Sequence, residues 1–444
     1  MISNAADARK ILTMAIKASR ADEAVAHLYG GVRGQVRWAV NEVTTAGDAE
    51  TVSLTVESAF GKRHASATTN RLDAASIAAC VRRSEAAARL MPDDPEWVGV
   101  LGPQTYAKVD GAHVKETAAF GAAARARPVA EAIGAVKGAG LVGAGFLEVD
   151  ESAEALLTSK GCFAFHRATD SGYTTTTRTT DGTGSGWAGA SHRDARALDI
   201  GKLTATALEK GRTSAAPRAL DPGTYPVILE PEAVATLVEV LMGALGQREA
   251  EEGRSPFAKG KEATRVGEKV FSDAVTVRSD PADPAQRSEP FDGDGLPLKP
   301  YKWIEAGVLR QLHVGRYWAA KKGVAPTGYP SGVLMEGGKG SVADLVAGAD
   351  KAVLVTRFWY VRHLNPRKLI ITGLTRDGTF WIEKGKVVRP VKNFRFNDSP
   401  IDVLSKVEAM SEAVRTSSGW GGSAMVVPGL RVSGFHFASL SDAV

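Results

Sequence analysis

Apolar residues recur at helical spacing from the start of the chain, where Ile11, Leu12, Met14, Ala15 and Ile16 punctuate the stretch from Ala6 to about Ser19 and predict an amphipathic helix. Period-two patterning follows. Glu23 to Tyr29 ends at Gly30-Gly31, Gly34 to Val40 comes next, and Thr51 to Glu57 alternates apolar with polar residues as a half-buried strand does, with Gly61 to Thr69 as its hairpin partner. Asn70 to Asp73 supplies capping chemistry ahead of an alanine-rich helix over Ala74 to Leu90, whose Ile77, Val81 and Ala88 fall near one face. The proline-rich exit Met91 to Trp97 and a weakly patterned run to about Asp110 predict a boundary.

Beyond it the pattern predicts a helix from Val114 to Ile133 with a break or kink at Pro128. Ala155 to Phe165 reads as two strands around a Lys160-Gly161 turn, threonine-dominated Thr174 to Thr180 as strand, and Leu198 to Lys210 as helix. Pro217 to Pro226 marks the next boundary, before a short buried strand at Tyr225 to Glu230. Glu232 to Leu245 is the most apolar helix of the chain: Val234, Leu237, Val238, Leu241, Met242 and Leu245 form one broad stripe that must lie against a core. Gly267, Gly293, Gly295, Gly307 and Gly328 then separate short alternating runs, a β-meander pattern reaching about Phe396, followed by a helix over Asp398 to Arg415 and a last strand over Leu430 to Phe437. The expected fold is α+β, with an N-terminal α/β-type helix and strand domain (1–100), a central α+β domain (111–220) and a large β-rich C-terminal domain (225–444) holding a buried helix.

Composition narrows the function. A chain of 444 residues exceeds what one core usually organises, and 47 glycines and 20 prolines fit the many turns. The net charge of +5 is spread without any Lys/Arg block, which argues against nucleic acid or anionic lipid as a partner. No long apolar run and no basic-then-apolar leader are present, so neither a membrane span nor a signal peptide is expected. Cys80 and Cys162 are the only cysteines and give no disulfide framework, which fits a reducing, cytoplasmic location.

Catalytic constellations are missing. His27, His64, His113, His166, His192, His313, His363 and His436 are isolated, without the spacing that sets two imidazoles on one helix face, and each reads as a structural or surface residue. No nucleophile elbow, P-loop or dinucleotide fingerprint occurs. Two glycine-rich runs, Gly182 to Trp187 and Gly419 to Ser423, are either flexible loops or backbone that an extended ligand approaches closely. Glu239, inside the apolar helix, occupies the polar edge of the stripe or needs a partner. Asp292, Asp294 and Asp377 stand beside glycines, where carboxylates bond local amides in turns.

The C-terminal half carries an ordered set of motifs: Ser255-Pro-Phe257 after the apolar helix, Gly267-Glu-Lys-Val-Phe271, Arg278-Ser-Asp-Pro281, Phe291-Asp-Gly-Asp-Gly295, Trp303 to Leu309, Thr327-Gly328 and Gly373-Leu-Thr-Arg-Asp-Gly378. In that order they resemble the TldD/PmbA family, once described as modulators of DNA gyrase, over nearly the whole chain and more strongly after about Pro226. The resemblance implies two kinds of chain. TldD-type chains bind zinc through His-Glu-x-x-x-His on a helix plus a C-terminal cysteine and hydrolyse peptides; PmbA-type chains, also called TldE, lack those ligands and pair with a TldD-type chain.

Counting back from Ser255, the motif's first histidine falls at Val238, its glutamate at Glu239 and its second histidine at Gly243, and no cysteine follows Cys162. Val and Gly offer no zinc donor. The resemblance therefore implies a non-catalytic PmbA/TldE-like subunit of a zinc metallopeptidase, with no cofactor of its own and zinc only in the TldD-type partner. The expected assembly is that heterodimer, or a homodimer of this chain, and the expected ligand is an extended peptide held against backbone, for which Gly182, Gly184, Gly186, Gly419, Gly421 and Gly422 are the candidate contacts. A homo-oligomeric peptide-binding protein and an autonomous hydrolase using Glu239 stand as alternatives.

Overall fold

The computed structural model describes residues 2, 4–260, 262–417 and 424–442. Six antiparallel strands make the first sheet: β1 (Glu23–Ala39), β2 (Glu42–Phe60), β3 (Arg63–Thr69), β4 (Val142–Thr158), β5 (Phe163–Arg178) and β6 (Ser185–His192), in the spatial order β3-β2-β1-β4-β5-β6. Five helices accompany it: α1 (Ala5–Ala18), α2 (Ala74–Leu90), α3 (Lys115–Ala118), α4 (Ala122–Gly138) and α5 (Ile200–Thr213). Asp73 caps α2 by accepting from the Ser76 amide at 3.0 Å, the capping expected from the sequence.

Strand register decides which side of this sheet is dry. Ala26, Leu28, Val36 and Trp38 of β1 share a face with Leu54 and Val56 of β2, with Leu147, Ala153 and Ala155 of β4 and with Tyr173 of β5, and helices α1, α2, α4 and α5 bury that face. The intervening residues point the other way. On that opposite face Tyr29 pairs with Glu154 and Glu154 with His166, while Arg33 pairs with Asp150 and Asp150 with Asp170.

The C-terminal body comprises β7 (Gly223–Leu229), α6 (Pro231–Gly243), α7 (Gln247–Glu251), β8 (Val277–Ser279), β9 (Tyr301–Glu305), β10 (Val308–Leu309), α8 (Arg316–Lys322), β11 (Val333–Met335), α9 (Val342–Ala347), β12 (Lys351–Asn365), β13 (Ile370–Glu383), β14 (Lys386–Pro390), β15 (Phe394–Asp398), α10 (Pro400–Ser405), β16 (Val407–Arg415) and β17 (Val426–Leu440). Its sheet is mixed: β7 runs parallel to β12 and β11 parallel to β17, while the remaining pairs are antiparallel. Because β17 also pairs with β7, the path β17-β15-β13-β12-β7 closes on itself and leaves no free edge along that circuit. The apolar stripe of α6, from Val234 to Leu241, packs with Phe394, Phe396, Phe435 and Phe437 in one core. The chain is thus α+β, an antiparallel sheet with helices followed by a large mixed sheet with a buried helix.

Several elements differ from the patterning. The strands read on either side of Gly30-Gly31 are one strand, β1; a Cβ on Gly30 would meet the Ile2 side chain at 2.8 Å, so the glycines allow close cover instead of ending the strand. Pro128 lies inside α4, and the interruption comes earlier, at Ala119 to Gly121 between α3 and α4. The glycine-punctuated region is not a simple meander, since β11 pairs with β17 far along the chain. Asp398 to Arg415 is the short helix α10 followed by strand β16, because pairing with β17 outweighs the helix propensity of Val407 to Arg415. Strands from 1–100 and 111–220 share one sheet through the β1 and β4 pairing, from Val25 opposite Thr158 to Ala39 opposite Ala144. No helix among the described residues is long and apolar enough to cross a membrane.

Candidate functional site

The helix-free face of the first sheet is turned toward the C-terminal body, and between them lies a cavity of about 620 Å³. Alternation along β4 and β5 brings Glu154 and Asp170 to it, α6 contributes Glu239 and Met242, and the loops before β9 and β11 contribute Gln286, Ser288, Glu289, Asp292 and Tyr329. Arg193, Arg287 and Arg415 line it as well, Arg415 3.9 Å from Asp170.

Burial pushes the carboxyl groups of Glu154, Asp170, Glu239 and Asp292 above the usual carboxylate range. For Glu154 the neighbouring Glu289 adds to the rise; for Asp170, Arg193 and Arg415 oppose it. His166, cross-strand from Glu154, is driven the other way: burial lowers its pKa, against the pull of Glu289. Among the described residues no three His, Cys, Asp or Glu side chains are placed to share one metal ion.

The positions aligned with the zinc motif do not converge. Val238 is wholly inside the C-terminal core. Gly243, five residues on and about 140° around the helix, ends α6 with nothing within 4 Å of where its Cβ would be. Glu239 alone faces the cavity. The residues present therefore do not suit a zinc ion held as the resemblance describes for TldD-type chains.

The glycine candidates separate. Gly182 has φ +73°, open space around its Cβ position, and a place in the wall of a second cleft of about 270 Å³ beside Thr183, Asp377 and Gly378. Gly184 and Gly186 are covered by α5: a Cβ on Gly186 would sit 2.2 Å from the Gly211 nitrogen and 2.3 Å from the Ala207 oxygen. The close approach that glycine permits there is to the chain's own helix. Gly419, Gly421 and Gly422 lie outside the described residues.

Asp377, read as a turn residue, is instead buried inside β13 at φ +56°, beside a register shift in the β12 pairing. Its carboxylate accepts from Arg357 Nε at 2.8 Å and Nη2, and from Ser185 Oγ of β6, so it ties the two sheets together. Asp292 does sit in a turn, accepting from the amides of Asp294 at 3.0 Å and Leu296 at 2.9 Å, while Asp294 pairs with Arg316. The cavity's acidic wall had a legible signal in the sequence, the alternation Glu148, Asp150, Ser152, Glu154, which is one face of a strand.

Residues 222–439 match the PmbA/TldA metallopeptidase C-terminal domain and residues 28–88 match PmbA/TldA metallopeptidase domain 1. The crystal structure of TldE from Thermococcus kodakarensis superposes with a TM-score of 0.87 at 20% identity, covering 97% of this chain and 99% of that one. A zinc metalloprotease TldD homolog of Saccharolobus solfataricus is 24% identical over 220 residues, 45% of this chain and 46% of that protein. A metalloprotease TldD homolog of Buchnera aphidicola is 24% identical over 218 residues, 45% of this chain and 43% of that protein. The match thus spans under half the length of these curated relatives. With both domains recognised in order and the fold shared end to end, the chain belongs to the PmbA/TldD metallopeptidase family.

Proposed function

We propose that this chain is the TldE-like, non-catalytic subunit of a TldD/TldE-type complex that cleaves peptides and unfolded segments, with zinc held by the TldD-type partner. The observation that carries the reading is the state of α6: Val238 points into the core, Gly243 has no side chain, and Glu239 reaches the cavity without a histidine beside it. A lone carboxylate supplies neither the three protein ligands nor the open coordination position that zinc hydrolysis needs. The end-to-end likeness to TldE supports the same assignment. In it, the chain's part is to bind extended peptide in the cavity between the sheets and present it to the partner.

The test is reconstitution. The purified chain, a TldD-type chain retaining His-Glu-x-x-x-His, and the two together are assayed for peptide cleavage, with zinc content measured for each. Activity and zinc that follow the partner, with cleavage rising when this chain is added, are expected. Stoichiometric zinc or peptidase activity in this chain alone overturns the reading, and stable self-association with peptide binding but no effect on the partner favours a homo-oligomeric peptide-binding protein.

A further inference from the structure

The charges around the cavity are not balanced, and the imbalance has a direction. Five carboxylates, Glu154, Asp170, Glu239, Glu289 and Asp292, face three arginines, which donate to main-chain carbonyls: Arg193 to the Thr169 oxygen at 3.1 Å and the Arg287 oxygen at 2.8 Å, with its Nε left without an acceptor, Arg287 to the Asp110 oxygen at 2.7 Å, and Arg415 to the Ala285 oxygen at 3.1 Å. Arg415 also lies 3.9 Å from Asp170. Glu154 and Glu239, by contrast, have no cation within ion-pair distance among the described residues, and burial raises both of their pKa values with no compensating positive neighbour. Burial disfavours the charged form of His166, which is cross-strand from Glu154.

Buried acceptors that line the same cavity are also unpartnered. Gln286 and Ser288 are each only 6% exposed. The Gln286 amide nitrogen donates to the Ala424 oxygen, which leaves Oε1 without a hydrogen bond, and Ser288 Oγ and Asp170 Oδ1 lack one as well. A buried acceptor left unpaired costs about 1–3 kcal/mol, so such a group marks a place where something outside the chain donates. Among the described residues no three of these carboxylates are placed to share one metal ion, and a cavity of about 620 Å³ is of ligand size.

We infer that this cavity takes a peptide-borne ammonium or guanidinium group, so that the peptides this chain accepts are those presenting a Lys or Arg side chain or a free amino terminus to Glu154 and Glu239. The inference rests on the peptide-binding reading above and adds the class of peptide. The cation donates to the two carboxylates, and the adjoining peptide amides donate to Gln286 Oε1 and Ser288 Oγ. Charge-assisted hydrogen bonds of this kind are the strong ones, and they are the ones an uncharged isostere loses.

Fluorescence anisotropy on the full chain tests it with four labelled probes: a Gly/Ser octapeptide, blocked at both ends, with one central Arg; the same peptide with citrulline in place of Arg; and the unsubstituted octapeptide with its amino terminus free or blocked. The Arg peptide is expected to bind about tenfold or more tighter than the citrulline peptide, with that preference falling toward one in E154Q and E239Q and weakening with salt. The free-terminus probe, against its blocked form, tells whether the α-ammonium is an equivalent source of the cation. Equal binding of Arg and citrulline peptides to the unaltered chain overturns the inference and leaves the peptide-binding reading standing; binding of none of them overturns both. The wild-type comparison decides the matter even where a variant folds poorly.

Discussion

Replacing Gly186 by alanine separates two roles for the glycine-rich run after β5. In the structure β6 lies directly under α5, and the added methyl would fall 2.2 Å from the Gly211 nitrogen, 2.3 Å from the Ala207 oxygen and 2.7 Å from the Lys210 carbonyl carbon. The first of these is about 1.2 Å inside ordinary contact, and all three neighbours are helix backbone that cannot rotate out of the way. Either α5 lifts off the sheet, loosening Thr204, Ala207 and Gly211, or β6 bends. Overpacking of this kind costs about 3 kcal/mol, at the upper end of what such insertions usually show. Gly182→Ala is the control: it meets no neighbour, and only the left-handed backbone at φ +73° is penalised, by about 1 kcal/mol. Hydrogen exchange of the α5 amides, read by mass spectrometry, reports the difference locally. A loss of about 3 kcal/mol speeds opening roughly a hundredfold. Exchange in α5 of Gly186→Ala that matches wild type, combined with lost peptide binding, would refute the packing argument and return Gly186 to the ligand.

Three further outcomes follow from the same geometry. Asp377→Asn keeps an oxygen that can accept from Ser185 but leaves Arg357 nearly buried without its carboxylate, and is expected to cost about 3 kcal/mol in urea unfolding; a change below about 1 kcal/mol would show that the Arg357 pair is not structural. Burial at the start of α6 raises the Glu232 pKa to about 7, with hydrogen bonds from Ser417 only partly opposing it. Its folded pKa lies above its unfolded one, so its contribution is fully present below about pH 4.5 and is lost as pH rises through about 7; Glu232→Gln should flatten that decline and stabilise the chain above pH 7 by up to about 3 kcal/mol, and an unchanged stability profile would contradict it. With Val238 in the core and no donor at Gly243, neither added zinc nor a chelator should move the thermal midpoint of the isolated chain, whereas stabilisation by stoichiometric zinc would expose a site elsewhere.

How much of this the amino-acid order carries is clearest in particular elements. Asp73 before an alanine-rich run, the apolar stripe of α6 and the alternation in β2 are local patterns, each tied to one period or one cap, and the structure has each of them where the pattern lies. Val407 to Arg415 mixes Ala, Glu and Met in a helix-compatible order, yet it is strand, because hydrogen bonds to β17 come from residues that a local window does not contain. Gly184 and Gly186 look like a ligand loop by composition; only the approach of α5 shows what covers them.

The α+β class, the buried helix, the family resemblance and the loss of the motif's donors at Val238 and Gly243 can all be read along the chain, since they depend on which side chains exist and how they are spaced. Tertiary structure alone decided that β1 pairs with β4 across more than a hundred residues, which turns Glu154 and Asp170 toward the C-terminal body, and that Asp377 meets Ser185 from the other sheet. The alternation along β4 names the face but not what lies opposite it. The charge of a cavity is the sum over walls brought together by folding, and no period within one segment contains that sum.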